Sequence, residues 1–231
     1  MLEKFLPRRD FSSYEDFKSN YRVKLPEHFN FAYDVMDAWA AEAPDKPAMV
    51  WCDDRGGEKI FSFRDMKYLS DKAANFFKDQ GIQKGDVVML LLKRRWHYWV
   101  CTLALEKLGA VSIPATIQLT KKDIIYRNNA ASVKMIVSVM DHEILSYIEE
   151  AVKESPTVLC RALVGGNKEG WLDFDAGLAK ASPDWTRPTG QQAAGGSDNM
   201  LMYFTSGTTG MPKIVLHDFY HPIGHIVTAH Y

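Results

Sequence analysis

The chain is poor in cysteine, and its cysteines are not arranged to pair or to bind zinc. Its 231 residues include only Cys52, Cys101 and Cys160, none of which stands in a Cys-x-x-Cys spacing. An odd and widely spaced set excludes a disulfide framework and gives no zinc-knuckle pattern. A reducing compartment fits this composition, and we predict the cytoplasm.

Long apolar runs and an excess of one charge are also missing. The most apolar stretches, such as residues 87–92, are far shorter than the roughly 18 residues that a membrane span needs. The first ten residues, MLEKFLPRRD, contain acids and no apolar core, so we expect no export signal. Lys and Arg total 28 against 29 Asp and Glu. We therefore expect no nucleic-acid partner, since a phosphate backbone needs a basic surface.

The chain does have enough apolar residues for a core, at 46% of the total. Apolar strand patterns such as residues 87–92 and 133–139 alternate with helical patterns such as residues 142–154. Strands separated by helices of ten to fifteen residues are typical of a mostly parallel sheet covered on both faces. The sequence therefore predicts an α/β fold, a mostly parallel sheet flanked by helices.

Changes in composition divide the chain into four predicted parts. Residues 1–30 contain scattered aromatics and two prolines and form an arm, and residues 31–164 form the α/β sheet domain. Residues 165–199, with the stretches GGNKEG and GQQAAGGSDN, form a connector. Residues 200–231 hold a strand, a loop, a second strand and the start of a further element.

The loop in that last part has an unusual concentration of glycine and hydroxyl side chains. It lies in the stretch YFTSGTTGMPK, residues 203–213, between the apolar strand MLMYF and the strand KIVLH. Glycines let successive backbone N–H groups face one concavity, and such a concavity binds anions. Hydroxyl donors and a lysine extend the site, so a polyphosphate is the ligand that these residue types suit. We call residues 205–210 the phosphate loop.

Two better-known motifs do not match this loop. In a Walker loop four residues separate the first glycine from Gly-Lys, whereas here only two residues separate Gly207 from Gly210, and Lys213 follows Pro212. In a nucleophile elbow the serine has glycine two residues before and after it, and Ser206 lacks both. Ser206 is therefore not predicted to be a nucleophile.

The order of residues in YFTSGTTGMPK resembles the phosphate-loop signature of the adenylate-forming superfamily, which includes acyl-CoA synthetases and luciferases. Two upstream blocks resemble that superfamily in the same order, FSFRDMKYLSDKAANFFKDQGIQKGDVV and LEKLGAVSIP. A narrower likeness to medium-chain acyl-CoA synthetases is carried by FNFAYDVMDAWA, IPATIQLTKKDIIYR and PKIVLH. The resemblance implies the N-terminal part of the synthetase fold.

The resemblance also implies an activity. Members join a carboxylate to ATP with Mg²⁺, release pyrophosphate, and transfer the acyl-adenylate to coenzyme A. It assigns the ATP phosphates to Thr205, Ser206, Gly207, Thr208, Thr209, Gly210 and Lys213. Lys213 is expected to assist catalysis without dominating it, and no residue is assigned to a metal. Gln118 matches a position that lies against CoA, although it could instead cap or bridge a turn.

The superfamily's adenine site, magnesium carboxylate, hinge and small C-terminal domain have no counterpart in these 231 residues. We therefore expect an N-terminal portion of an acyl-CoA synthetase that does not turn over by itself. The alternative is a non-catalytic module that binds a phosphorylated ligand or a protein through the same loop. Acyl chain length and oligomeric state have no signal in the sequence.

Two other groups of residues allow alternative interpretations. His217, His221, His225 and His230 have spacings of four, four and five residues, which on one helix would form a metal site. Pro222 makes a continuous helix improbable, so ordinary loop and helix histidines are favoured. His217 itself is either packed or within reach of a substrate. The aromatics after the basic stretch of residues 93–95 follow helical spacing, which favours core residues over a nucleic-acid surface.

Overall fold

A computed structural model of the chain describes residues 1–205 and 210–230. The strands are β1 (Pro47–Cys52), β2 (Glu58–Ser62), β3 (Val87–Leu91), β4 (Val111–Pro114), β5 (Val133–Val139), β6 (Cys160–Val164), β7 (Leu172–Asp173), β8 (Asn199–Thr205) and β9 (Lys213–Asp218). The helices are α1 (Tyr14–Asn20), α2 (Ala38–Glu42), α3 (Phe63–Asp79), α4 (His97–Leu108), α5 (Lys121–Ala130), α6 (His142–Val152), α7 (Phe174–Lys180), α8 (His221–Gly224) and α9 (Ile226–His230). A π-helical turn, Ala32–Asp37, leads directly into α2.

The described strands form one large sheet and one hairpin. The seven-stranded sheet has the order β7-β6-β5-β3-β4-β8-β9. All of its neighbouring pairs are parallel except β8 and β9, which are antiparallel. The strands β1 and β2 pair separately as an antiparallel hairpin around Asp53, whose side chain accepts the Gly57 N–H. The prediction of a mostly parallel sheet is confirmed.

Both faces of the large sheet are covered, because side chains along a strand alternate between the faces. In β3 every residue is buried. Val88 and Leu90 belong to an apolar cluster with residues of α3, α4 and α7. Met89 and Leu91 belong to a second cluster with residues of α5 and α6. A strand buried on both faces explains why β3 is a continuous apolar run.

Local signals in the sequence fix several helix ends. The helix α3 begins at a capping box in which Ser62 Oγ accepts from the Asp65 N–H and the Asp65 carboxylate accepts from the Ser62 N–H. The helix α4 ends at Gly109, whose φ of 74° lies in the left-handed region that glycine adopts without strain. Asn30 Oδ1 accepts from the Ala32 N–H at 3.1 Å at the start of the first helical segment.

The predicted arm packs on the opposite end of the chain. The ring of Phe5 meets that of Phe29 edge-on with centroids 5.3 Å apart, and both contact Ile223 of α8. The strand β7 and helix α7 lie within residues 165–199, and β7 pairs with β6. The division of the chain into four parts stays a prediction.

Candidate functional site

The hairpin of β8 and β9 holds the two ends of the phosphate loop next to each other. Thr205, the last residue of β8, faces Lys213, the first residue of β9, across the antiparallel pair. The hydroxyl of Thr205 donates to the Lys213 carbonyl at 3.5 Å, a long and therefore weak hydrogen bond. Four residues of the predicted site lie outside the described residues: Ser206, Gly207, Thr208 and Thr209. Their predicted contacts with phosphate stay predictions.

Two features lie beside the described ends of the loop: the cation of Lys213 and open space next to Gly210. Lys213 is exposed, and it forms no ion pair with any residue in the ranges 1–205 and 210–230. A Cβ placed on Gly210 would meet no atom within 4 Å. An unpaired ammonium next to a hydroxyl that can turn away from a weak hydrogen bond suits an anionic ligand.

The helix α5 contacts the residues on either side of the phosphate loop. The hydroxyl of Tyr126 donates to the Pro212 carbonyl at 2.8 Å, a contact between residues 86 positions apart. The ring of Tyr126 also meets Phe204 edge-on at 6.1 Å, and the guanidinium of Arg127 lies 5.1 Å from the centre of the Phe204 ring. Sequence reasoning missed Tyr126, because the local pattern of a helix carries no signal for so distant a partner.

Gln118 lies at the same edge of the sheet as the phosphate loop. It stands in the turn between β4 and α5, and β4 pairs in parallel with β8 through Ser112 and Leu201. Parallel neighbours end at one edge, and ligands of open α/β sheets bind at that carboxyl edge. The backbone N–H of Gln118 donates to Thr116 Oγ1, whereas its exposed side chain forms no hydrogen bond with the described residues. The side chain of Gln118 is therefore not a bridge within the turn.

An ion pair joins two other segments at this edge. Lys93 Nζ, after β3, lies 3.0 Å from Asp141 Oδ2, after β5. Asp141 also caps α6 by accepting from the Ile144 N–H. The hydrogen bond from Lys93 lowers the pKa of Asp141. Lys93 is thus already paired, unlike Lys213.

Three of the four C-terminal histidines come together without a common helix. His217 lies on β9 and His221 begins α8, and their ring centroids are 4.0 Å apart. The ring of His225 follows at 4.5 Å from His221. Burial, followed by repulsion from the two neighbouring rings, lowers the pKa of His221. The side chain of His230 lies outside the described part of the structure, and the described His, Cys, Asp and Glu residues form no group able to hold a metal ion.

A comparison with protein families decides what this arrangement belongs to. The model of the AMP-binding enzyme family matches residues 36–228. The chain belongs to this family. Mitochondrial acyl-coenzyme A synthetase ACSM4 of Mus musculus is 39% identical over 213 residues, which cover 88% of this chain and 36% of that protein. Mitochondrial acyl-coenzyme A synthetase ACSM3 of Homo sapiens is 34% identical over 217 residues, 90% of this chain and 36% of that protein.

Solved structures agree with this membership at the level of the fold. The anthranilate CoA ligase AuaEII in complex with anthranoyl-AMP superimposes with a TM-score of 0.71 at 22% identity, covering 84% of this chain and 36% of that one. The Brucella canis acyl-CoA synthetase superimposes with a TM-score of 0.70 at 25% identity, covering 84% and 34%. The predicted family and the predicted synthetase fold are confirmed. The chain spans about a third of the length of the relatives it matches.

The prediction of a cytoplasmic location is wrong. The curated relatives are mitochondrial acyl-coenzyme A synthetases. The prediction failed because unpaired cysteines report on redox conditions and not on the compartment itself. Within the described residues, no helix combines the length and the apolar character needed to cross a membrane.

Proposed function

We propose that this chain supplies the triphosphate-binding part of an ATP-dependent acyl-coenzyme A synthetase. The activity joins a carboxylic acid to ATP, releases pyrophosphate, and transfers the acyl group from the adenylate to coenzyme A. The observation that carries the proposal is the pairing of Thr205 with Lys213. It holds a hydroxyl at one side of the phosphate loop and, at the other, a cation that forms no ion pair with the described residues.

The chemistry of adenylation explains why such a loop serves the reaction. The substrate carboxylate attacks the α-phosphorus of ATP, so negative charge grows on the departing pyrophosphate. Donors held in place around those oxygens stabilise that charge in the transition state. Lys213 adds a point charge on a flexible stem, so it contributes less than a rigid set of backbone N–H groups from the loop. Mg²⁺ bound with the nucleotide supplies further charge neutralisation.

Gln118 is proposed to contact coenzyme A. Its free side chain lies at the edge of the sheet where the phosphate loop begins, because β4 and β8 are parallel neighbours. An amide side chain provides both a donor and an acceptor, which suits the amide groups of the pantetheine arm. The proposed substrate is a carboxylic acid.

Calorimetric titration of the chain with ATP and Mg²⁺, and separately with pyrophosphate, tests the proposal. Lys213→Ala removes one charge-assisted contact, so we expect the affinity for both ligands to fall about tenfold. Gly207→Val places a branched side chain where the loop is expected to approach the phosphates, so we expect a larger loss.

A matched control is available at the far end of the sheet. Lys180 is an exposed lysine at the end of α7, beside the edge strand β7, whereas Lys213 belongs to the opposite edge strand. Lys180→Ala should leave both affinities unchanged. Binding of ATP that is equally strong in the wild type and in the Lys213→Ala and Gly207→Val variants would show that the loop is not the phosphate site.

A further inference from the structure

A cavity of about 530 Å³ lies between α4, the β1–β2 hairpin and the first helical segment. Its walls are largely apolar and contain three thioethers and two aromatic rings, from Met36, Met49, Met66, Phe31 and Trp99. None of the described loop residues, Thr205 and residues 210–213, lines this cavity. Two polar side chains of α4, Thr102 and Glu106, also line this cavity, which we call the Glu106 pocket.

Glu106 has a carboxylate oxygen with no partner. The residue is only 5% exposed, and its almost fully buried Oε2 has no hydrogen-bond partner among the described residues. A hydrogen bond from the Ala32 backbone and the charge of Lys107 both lower the pKa of the carboxyl, but by less than burial raises it. A buried carboxyl without a counter-ion is unfavourable in its charged form, so a cation bound in the pocket would stabilise that form.

Lys107, which follows Glu106 in the sequence, already pairs with two other carboxylates. The ammonium of Lys107 donates to Asp37 Oδ1 at 2.9 Å and to Asp71 Oδ1 at 2.6 Å. We call these three residues the Lys107 triad. Among the described residues that line the Glu106 pocket there is no lysine, arginine or histidine. The described residues of the pocket wall therefore supply no cationic side chain that could pair with the Glu106 carboxylate.

The second polar side chain of the pocket also presents an acceptor. Thr102 Oγ1 donates its single hydrogen to the Tyr98 carbonyl at 2.9 Å. The lone pairs of that oxygen remain available to accept. Thr102 and Glu106 are four residues apart on α4, so they lie on one face of the helix. The pocket offers two neighbouring acceptors inside an apolar wall.

We propose that the Glu106 pocket binds a hydrophobic ammonium ion, that is, a primary amine with an aliphatic or aromatic body. An ammonium group provides three donors and the charge that the Glu106 carboxylate lacks. The ring of Trp99, about half exposed, and the thioethers offer polarisable surfaces to a cation and its apolar body. An apolar ligand without a donor would leave Oε2 unpaired.

Protonation of Glu106 gives the binding a distinctive dependence on pH. Burial raises the pKa of Glu106 to about 8, against smaller opposing effects of the Ala32 hydrogen bond and of Lys107. An ammonium ion binds the ionised form, so below that pH one proton leaves for each amine bound. The affinity then rises by up to about tenfold for each pH unit until the carboxylate is ionised.

Calorimetric titration of the chain with n-hexylamine and with n-hexanol tests the proposal. At about pH 8.5 we expect the amine to bind at least about tenfold more tightly than the alcohol, since a charge-assisted hydrogen bond exceeds a neutral one. We expect amine affinity to fall as the pH is lowered to about 6, with little change for the alcohol.

Three variants separate the pocket from general binding of amines to an acidic surface. Glu106→Gln keeps the size of the side chain and should abolish both the preference for the amine and its dependence on pH. Thr102→Val should weaken amine binding a few-fold without changing the pH dependence. Glu150→Gln removes an exposed carboxylate of α6 and should change neither. Circular dichroism verifies that each variant is folded.

Equal affinities for amine and alcohol would overturn the proposal. Amine binding that survives unchanged in Glu106→Gln, or the absence of detectable amine binding in the wild type, would overturn it as well.

Discussion

Replacing Glu106 with glutamine should stabilise the protein at about neutral pH and above, and more so as the pH rises. The folded protein holds this carboxyl in its protonated form, because burial raises its pKa from 4.5 to about 8. The unfolded chain releases the proton above its ordinary pKa. Between these two values the unfolded state therefore binds fewer protons than the folded state, and the free energy of unfolding falls as the pH rises.

The two pKa values set the size of the effect. Each unit of difference corresponds to about 1.4 kcal/mol, so the penalty reaches about 5 kcal/mol once the pH exceeds the folded pKa. At pH 7 it is about 3 kcal/mol, and at pH 5 it is below about 1 kcal/mol. Glutamine does not titrate, so the variant lacks this penalty. Its amide does leave a buried donor in the pocket, which costs about 1–3 kcal/mol at every pH.

The difference between variant and wild type therefore has a constant part and a part that depends on pH. We expect the free energy of unfolding of Glu106→Gln, minus that of the wild type, to increase by about 3 kcal/mol between pH 5 and pH 8. Urea denaturation followed by tryptophan fluorescence, at pH intervals of about half a unit, measures both curves.

An exposed glutamate provides the comparison. Glu150→Gln, on the outer surface of α6, should follow the wild type within about 0.5 kcal/mol over the same pH range. Parallel curves for Glu106→Gln and the wild type would refute the reasoning, because they would mean that Glu106 ionises in the folded protein as easily as in water.

Four further substitutions test the packing, a buried ion pair and the helix ends. Gly109→Ala should lower the free energy of unfolding, measured by urea denaturation, by about 2–4 kcal/mol, since a Cβ there would lie 2.4 Å from the Ala194 Cβ and φ is positive. Gly85→Ala, also at positive φ but with no atom within 4 Å, should cost only about 1 kcal/mol, and equal losses would contradict the role of the close contact. Lys107→Met leaves the two largely buried carboxylates of the Lys107 triad without that cation, so we expect the free energy of unfolding to fall by about 3–5 kcal/mol. A fall below about 1 kcal/mol would show that the carboxylates protonate at little cost. Ser62→Ala removes a capping hydroxyl and should lower the melting temperature by an amount equivalent to about 1 kcal/mol, whereas an unchanged temperature would mean that the capping box adds nothing.

Local patterns were sufficient to predict most of the elements. The run at residues 87–92 predicted a strand buried on both faces, and β3 is one. Gly109 at the end of α4 and Asn30 at the start of the first helical segment are residue types typical of those positions. The π-helical form of Ala32–Asp37 was not predicted, because its side-chain pattern closely resembles that of an α-helix. The strand β7 has two residues, which is too short for any periodicity to show.

The candidate site was predictable only where its residues are adjacent in sequence. The strand-loop-strand pattern of residues 200–217 predicted that Thr205 and Lys213 flank one loop, and β8 and β9 pair in that way. No local sequence pattern indicated the hydrogen bond of Tyr126, since its partner Pro212 is 86 residues away. Glu106 had none either, because a glutamate in a helical pattern is ordinarily assigned to the exposed face.

The sequence by itself determined the alternation of strands and helices, several of the helix ends, and the family to which the chain belongs. These depend on side-chain periodicity, capping groups and a contiguous motif, all of which act between neighbours along the chain. The tertiary structure alone decided the order of strands in the sheet, the contacts of α5 on either side of the phosphate loop, and the burial of Glu106 beside an apolar cavity. These depend on which distant segments pack together, and burial changes the energy of a charged group only once that packing excludes water from it.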